Sequence, residues 1–287
     1  MDKQRKLELS RLACLIRIGV IEGVYNAKAG HPGGSLSAAE LLTYLYFEQM
    51  HIDPQNPKWE DRDRFVLSKG HAAPVLYAAL AHRGFFDVES LKTLRKKDSF
   101  LQGHPSMKLC PGVDMSTGSL GQGISAAAGM ALGAMLLKPP QGRGVMTYAL
   151  LGDGEIEEGQ VWEAAMFAAA KGLDHLIAIV DNNNLQIDGS IEEVNSPYPI
   201  AEKFTAFGWN VIEIDAHDFD EIEAAFAQAV HFNGKPTAII MKSVKGKGVS
   251  YMENQVGWHG AAPNAEQYAV AMEELSAQLA ELEGRAA

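Results

Sequence analysis

Three groups of residues in this 287-residue chain have types and spacings suited to chemistry. The first pairs Gly152-Asp153-Gly154 with Asp181-Asn182-Asn183-Asn184. Each group follows an apolar run, Val145 to Leu151 and His175 to Val180, of the length of a buried strand. Between them Glu155 to Lys171 is rich in Ala and Glu, with Trp162, Ala165, Met166 and Ala169 at helical spacing. Asp153 and Asn183 lie 183 − 153 = 30 residues apart, room for a crossover helix and a strand. The segment therefore reads as a βαβ unit, with both residues at carboxyl ends of neighbouring strands, about 4.8 Å apart. One carboxylate and one or two amide oxygens in that position suit a hard cation such as Mg²⁺ that leaves room for phosphate oxygens. The helix opening at Glu155 adds free N–H groups and a positive dipole end. Gly-Asp-Gly alone is an ordinary turn sequence; its coupling to the Asn run is what points to a cation and a phosphate.

The second group is histidine. His31, His71, His104 and His259 each sit in a Gly- or Pro-rich stretch: Gly30-His31-Pro32-Gly33, Gly70-His71, Gly103-His104-Pro105 and Trp258-His259-Gly260. An isolated histidine is more often a hydrogen-bonded structural residue. Four loop histidines over one crevice could instead bind polyol hydroxyls and move protons near neutral pH. His51, His82, His175, His217 and His231 lack that setting and read as surface or structural. The third group is charged. Glu155, Glu157 and Glu158 cluster at a helix start, where dipole compensation accounts for Glu155 and Glu157. Lys245-Gly246-Lys247-Gly248 is either a phosphate nest or a flexible solvated loop.

The elements that must position these groups follow from pattern. Residues 3 to 27 predict one helix, ended by Gly30 to Gly34. Ser37-Ala38-Ala39-Glu40 has the form of a capping box opening the next helix. Arg64 to Ser68 predicts a short strand with Gly70-His71 directly after it, then a helix through Leu76, Tyr77 and Leu80. Asp87 is placed to cap a helix from Val88 to Lys97, and Ser99 to Gly123 reads as a long loop, a feature that is usually functional. Ile124 to Leu137 predicts a helix rich in small residues, suited to close packing and to a contact between subunits. After the Asn run, 185–199 reads as loop, 201–207 as helix, 210–215 as strand, 219–232 as amphipathic helix, 236–241 as strand and 266–283 as an acidic helix. Alternating strands and helices predict an α/β fold with a mostly parallel central sheet and helices on both faces. No repeat or linker divides residues 1–287, so one domain is expected.

Composition narrows the partners. The chain is 47% hydrophobic and 21% charged, ordinary for a globular protein, with a formal net charge of −11 that argues against nucleic acid or an anionic membrane as the main partner. Two cysteines, Cys14 and Cys110, have no metal-type spacing and fit a reduced, cytoplasmic setting. The charged N-terminus has no signal h-region, and the longest apolar stretch is too short and too rich in Ala and Gly to span a membrane.

These motifs together resemble the thiamine-diphosphate enzymes, and transketolase most closely, over nearly the whole chain. The matching stretches are Gly152-Asp153-Gly154 with Asn182-Asn183, Gly30-His31-Pro32-Gly33, Leu67-Ser68-Lys69-Gly70-His71, Gly103-His104-Pro105, Thr117 to Gly123, Asp188-Gly189 and Trp258-His259-Gly260. The resemblance implies thiamine diphosphate and Mg²⁺ as cofactors in a thiamine-diphosphate-binding fold. Asp153, Asn183 and the main-chain carbonyl of Leu185 would hold the metal. His71, Gly118, Ser119, Leu120, Gly154, Glu155, Asn183 and His259 would line the cofactor, and His31, His104 and His259 would face the sugar and act in catalysis. Glu158 matches a glutamate at the contact between subunits that links paired sites, and Lys245 matches a Lys-Gly segment lining the cleft.

A family transketolase is about twice this long. The resemblance implies that the aminopyrimidine-binding domain, its activating glutamate and most substrate-phosphate residues lie on a partner chain. The expectation is the N-terminal subunit of a split transketolase, transferring a two-carbon ketol unit from a ketose phosphate to an aldose phosphate, assembled as two copies of each chain. Alternatives are a subunit like deoxyxylulose phosphate synthase, the alpha chain of a 2-oxo acid dehydrogenase, a transketolase for a sulfosugar or other specialised ketose, and a non-catalytic subunit that holds Mg²⁺-diphosphate. Ser119-Leu120-Gly121-Gln122-Gly123 favours transketolase over the synthase, and four loop histidines suit a polyhydroxylated sugar better than a short oxo acid.

Overall fold

A computed structural model describes residues 1–137 and 144–286. Helix α1 spans Lys3–Ala27, capped by the Asp2 carboxylate. A one-turn helix α2, Pro32–Leu36, follows where the Gly-rich stretch was expected only to end α1. Then come α3 (Ala39–Tyr44), strand β1 (Arg64–Leu67) and α4 (Ala73–Arg83). The long loop ends in α5 (Gln122–Leu137), and β2 (Thr147–Gly152), α6 (Gly159–Ala170) and β3 (Leu176–Asn182) form the expected βαβ unit. The segment expected as loop after the Asn run holds a two-residue hairpin, β4 (Leu185–Gln186) with β5 (Gly189–Ser190), and a short α7 (Ile191–Asn195). The chain continues through α8 (Ile200–Ala206), β6 (Asn210–Asp215), α9 (Phe219–Ala229), β7 (Thr237–Lys242) and α10 (Ala265–Ala286).

The five long strands lie in the order β1-β2-β3-β7-β6, and every pair is parallel. A parallel sheet must be covered on both faces, and side-chain alternation shows that it is. Tyr148, Leu150, Ile177, Ile179, Ile239 and Met241 face a core built with α1, α3, α4, α9 and α10. Ala149, Leu151, Ala178, Val180, Ala238 and Ile240 face the other core, built with α5, α6 and α8. This is the α/β architecture predicted from pattern. Because all strands run one way, the ends of β1, β2, β3 and β7 open at a single edge.

Two local expectations fail for physical reasons. The capping box does not form: Ala38 caps α3 without a side-chain bond. Ser37 instead donates to Asp181, and Glu40 accepts from Arg17 of α1 at 2.6 and 2.7 Å. The helix expected over 88–97 is a 3₁₀ stretch, Val88–Thr93, because Arg95 takes a left-handed backbone and its N–H bonds Leu101 O. Asp87 does cap it, accepting from Glu89 N.

Arg17 and Glu40 are both buried, so their pairing ties α1 to α3. Burial alone would raise the Glu40 carboxyl, but Arg17 and His217 beside it hold it at about 2. Its folded-state value thus lies below the ordinary glutamate value of about 4.3. The stabilisation is fully present above that value and lost as pH falls through about 2. Glu40→Gln should therefore destabilise the fold by about 3 kcal/mol at pH 7, by leaving a buried guanidinium unpaired. In urea titrations the gap from the parent should narrow steadily below about pH 4.5.

Candidate functional site

The edge where the strands open holds a cleft enclosing about 120 Å³ of water-accessible space. Asp153, Gly154 and Glu155 after β2, Asn183 after β3, Leu185 of the hairpin and Lys245 after β7 all line it. So do Gly34 of α2, Lys69 and His71 after β1, Leu120 of the long loop and His259. The register explains the meeting: Gly152 pairs with Asp181, and Asn182 with Lys242, so the residues just beyond each strand emerge side by side.

At the cleft floor lies an ion pair whose pairing the sequence did not reveal. Lys69, 1% exposed, donates to the carboxylate of Asp181, which is wholly buried. Lys69 also donates to Gly34 O at 2.7 Å. Asp181 further accepts from Ser37 at 2.7 Å, from Asn183 Nδ2 at 3.0 Å and from Ser243. Burial pushes the Asp181 carboxyl up, but Lys69 and these donors bring it below the ordinary aspartate value.

Asp153 is held from three sides. Its Oδ1 accepts from Gly154 N at 2.9 Å, and its Oδ2 from Asn184 N at 2.6 Å and Asn182 Nδ2 at 3.2 Å. Burial, reinforced by the nearby Asp181 charge, still raises its carboxyl to about 6. Asn183 bonds outward and inward: Oδ1 accepts from Leu185 N at 3.2 Å while Nδ2 reaches Asp181. The Leu185 carbonyl accepts from the Lys245 ammonium at 2.8 Å. Lys245 is buried, which lowers its ammonium to about 8, and it also donates to His259 Nδ1 at 2.9 Å. It is therefore a cleft residue and not part of a solvated loop. Among the described residues no three His, Cys, Asp or Glu side chains gather as a metal site. A cation here would rely on amide and carbonyl oxygens beside Asp153.

Three of the four loop histidines are in ring contact. His31 lies 5.2 Å from His71 and 5.6 Å from His259, and His71 lies 5.1 Å from His259. His104 stands apart from this triad, against the backbone of Gly118, where a Cβ would meet its ring at 3.1 Å. Burial lowers all four, assisted by neighbouring cations: His31 to about 4, His259 to about 3, His71 well below the ordinary value and His104 below it too. They are therefore neutral near pH 7, each ring with one donor and one acceptor. Among the described residues His31 Nδ1 is buried without a hydrogen-bond partner, so its bonding capacity is available to a ligand hydroxyl.

The acidic cluster differs from expectation. Glu155 does not face solvent as a dipole counter-charge. It is buried, accepting from Ser68 Oγ and Gly121 N through Oε1, at 2.5 and 2.9 Å, and from Gly152 N through Oε2 at 3.0 Å. It thereby clamps three loops together at the cleft. Glu157 accepts from Gln186 and Asn195, pinning the small hairpin and α7. Glu158 is exposed, caps α6 by position and lies against Gly121. Gly118 adopts φ +150, and Ser119 and Leu120 are exposed at the rim.

The sequence places Lys69, Asp181 and Gly34 in motif stretches without pointing to a role for any of them, and His217 reads there as surface or structural. A lone lysine and a lone aspartate at the ends of apolar strands were the available signals. Asp181→Ala should cost about 3–5 kcal/mol in urea unfolding, because it strands a buried ammonium. Adding Lys69→Met should recover part of that loss; a double variant no more stable than Asp181→Ala would contradict the ion pair's role.

The comparisons agree with this geometry. Residues 9–281 match the family described as "Transketolase, thiamine diphosphate binding domain". The chain is 47% identical to the 6-deoxy-6-sulfo-D-fructose transketolase subunit SqwG of Clostridium sp. (strain MSTE9), covering 95% of this chain and 98% of that one. It is 45% identical to an apulose-4-phosphate transketolase subunit of Phocaeicola vulgatus, covering 92% of each. Among solved structures, transketolase from Campylobacter jejuni superposes with a TM-score of 0.88 at 33% identity, covering 98% of this chain but 46% of that one. The chain thus spans nearly all of the two relatives named as subunits and about half of that transketolase.

Proposed function

The chain belongs to the transketolase thiamine diphosphate binding domain family, and on that premise we propose that it is the diphosphate-binding subunit of a split transketolase. The proposed reaction moves a two-carbon ketol unit from a ketose to an aldose, both bearing an anionic group. The observation that carries this reading is the joining of the two sequence motifs in one cleft. The Asp153–Asn183–Leu185 edge lines the same space as His71 and His259, and His31 packs against both of those rings.

The residues present fit Mg²⁺ with a diphosphate. Asp153, Asn183 and the Leu185 carbonyl offer a carboxylate and two neutral oxygens, a hard donor set. The Leu185 carbonyl already holds a cation, the Lys245 ammonium. Gly34 leaves the cleft open beside Lys69 and His71, where its Cβ would stand 3.7 Å from each side chain. Gly154, Glu155, His71 and Leu120 border the same space as the cofactor's proposed lining, with Gly118 and Ser119 directly before Leu120 in the chain. When bound, thiamine diphosphate supplies a carbon nucleophile and electron sink for breaking and making the ketose carbon–carbon bond. The chain's own part is to hold and orient. Lys69 and Lys245 place positive charge by the phosphates, while neutral His31, His104 and His259 bind sugar hydroxyls and pass protons at their ring nitrogens.

The relatives named as subunits support a partner chain, and the carboxyl that activates the cofactor is proposed to lie on it. Glu158, exposed at the start of α6, is the proposed link between paired sites, and two copies of each chain is the proposed assembly. Those same relatives are named for a sulfosugar and for apulose 4-phosphate, which favours a specialised ketose as donor.

The purified chain alone should show no ketol transfer, and adding its partner should restore it, in coupled assays across sulfonated and phosphorylated ketoses. Full turnover by the chain alone would overturn the split-enzyme reading. Asp153→Ala should abolish Mg²⁺-dependent binding of thiamine diphosphate to the assembled enzyme; unchanged affinity by calorimetry would show the metal assignment to be wrong.

A further inference from the structure

His217 precedes α9, far along the chain from every cleft residue, yet it is built into a buried network that ends at Lys245. Its Nε2 accepts from the backbone N–H of Val244 at 3.0 Å. A backbone N–H can only donate, so the His217 proton resides on Nδ1, which donates to Glu40 Oε2 at 3.1 Å. Glu40 is held in turn by Arg17. Arg17 returns to the same segment from the other side, donating through Nε to Lys247 O at 2.9 Å. The Arg17 stem also packs against Gly248, whose Cβ would meet Arg17 Cδ at 3.0 Å and whose φ is +93. One closed circuit, Arg17–Glu40–His217, thus grips the 244–248 segment at two backbone points.

Lys245 sits between those points. Its ammonium reaches Leu185 O and His259 Nδ1, so its stem must leave the backbone in one direction. On the near side Gly33 offers support, accepting from Gly246 N at 3.0 Å, and its own Cβ would strike Lys245 Cγ at 3.1 Å. The contact with Gly33 is made by main chain. The grip at Val244 depends on one imidazole held in one tautomer by one carboxylate.

We propose that His217, fixed by Glu40 and Arg17, is a positioning residue that sets the 244–248 segment and thereby aims Lys245 into the cleft. Neither His217 nor Glu40 lines the cleft. The inference rests on the cofactor-cleft reading for its functional consequence, but the tether itself can be measured without any ligand.

Two substitutions separate the two bonds of the imidazole. In His217→Asn the side-chain amide can still donate to Glu40 but is too short to reach Val244. In His217→Gln the amide oxygen reaches the Nε2 position and can accept from Val244 N–H. Amide hydrogen exchange on the full chain reads the tether. Calorimetric titration of the assembled enzyme with thiamine diphosphate and Mg²⁺ reads its consequence. His217→Asn should speed exchange over residues 244–248 about tenfold, leave β2 and β3 amides unchanged, and weaken cofactor binding about tenfold, the scale of one net hydrogen bond. His217→Gln should restore both to within about threefold of the parent. The proposal is overturned if His217→Asn leaves exchange of 244–248 at parent rates. It is equally overturned if exchange in β2 and β3 rises as much as in that segment, or if His217→Gln does not rescue. A parent enzyme that binds no thiamine diphosphate would sink the cofactor-cleft reading instead, and the exchange measurements would still decide the tether.

Discussion

The cleft depends on one buried ion pair, Lys69 with Asp181. Burying two charges costs several kcal/mol per ion unless each finds further partners. The partners recruited here explain the shape of the whole edge. Gly34 O from α2, Ser37 ahead of α3, Asn183 beyond β3 and Ser243 beyond β7 all close on the same two groups. Loops from opposite ends of the chain are thus fixed to a common centre, and Asn183 is oriented by the aspartate two residues before it. A hydrophobic pair of equal size could fill the volume. It could not hold an amide and two hydroxyls in set directions, and it would leave Gly34 O without its donor.

A second constraint is electrostatic. Lys69 and Lys245 bring two ammonium groups to the cleft, and the three clustered histidines stay neutral because burial and those ammonium groups disfavour further positive charge. A neutral imidazole can accept as well as donate, so each ring keeps both capacities. Lys245 illustrates the coupling most directly. It donates to His259 Nδ1, which leaves the His259 proton on Nε2. It also holds the Leu185 carbonyl that stands beside Asp153 in the cleft wall.

Much of this was legible in the sequence, and the rest was not for identifiable reasons. Period and turn chemistry are local, so the βαβ unit, the parallel sheet and the loop setting of His31, His71 and His259 could be read from neighbouring residues. Partnership is not local. Ser37 and Glu40 have capping-box spacing, yet each has a stronger buried partner from a distant element, and the helix start is left to Ala38. Glu155 looked like a surface charge at a helix start because nothing nearby in sequence shows that Ser68, Gly121 and Gly152 would surround it. His104 has the same Gly-His-Pro setting as His31, but its ring stands against Gly118, outside the triad. His217 lacks a Gly-Pro setting altogether, and only the fold reveals what it holds.

The carboxylates of the cleft bear on what a partner must bring. Each is engaged by donors of this chain. Asp153 accepts from Gly154, Asn184 and Asn182, Glu155 from Ser68, Gly121 and Gly152, and Asp181 from Lys69, Ser37, Asn183 and Ser243. A carboxyl that activates the cofactor must hold a proton to share with a ring nitrogen, and donors that favour the charged carboxylate oppose that. Burial raises both Asp153 and Glu155, but Asp153 is the proposed cation ligand, which leaves Glu155. Freeing it would release the three loops it clamps, including the Gly118–Leu120 rim through Gly121. The acidic groups in this cleft are committed to holding the site together. That commitment supports the reading in which anchoring belongs to this chain and activation to another.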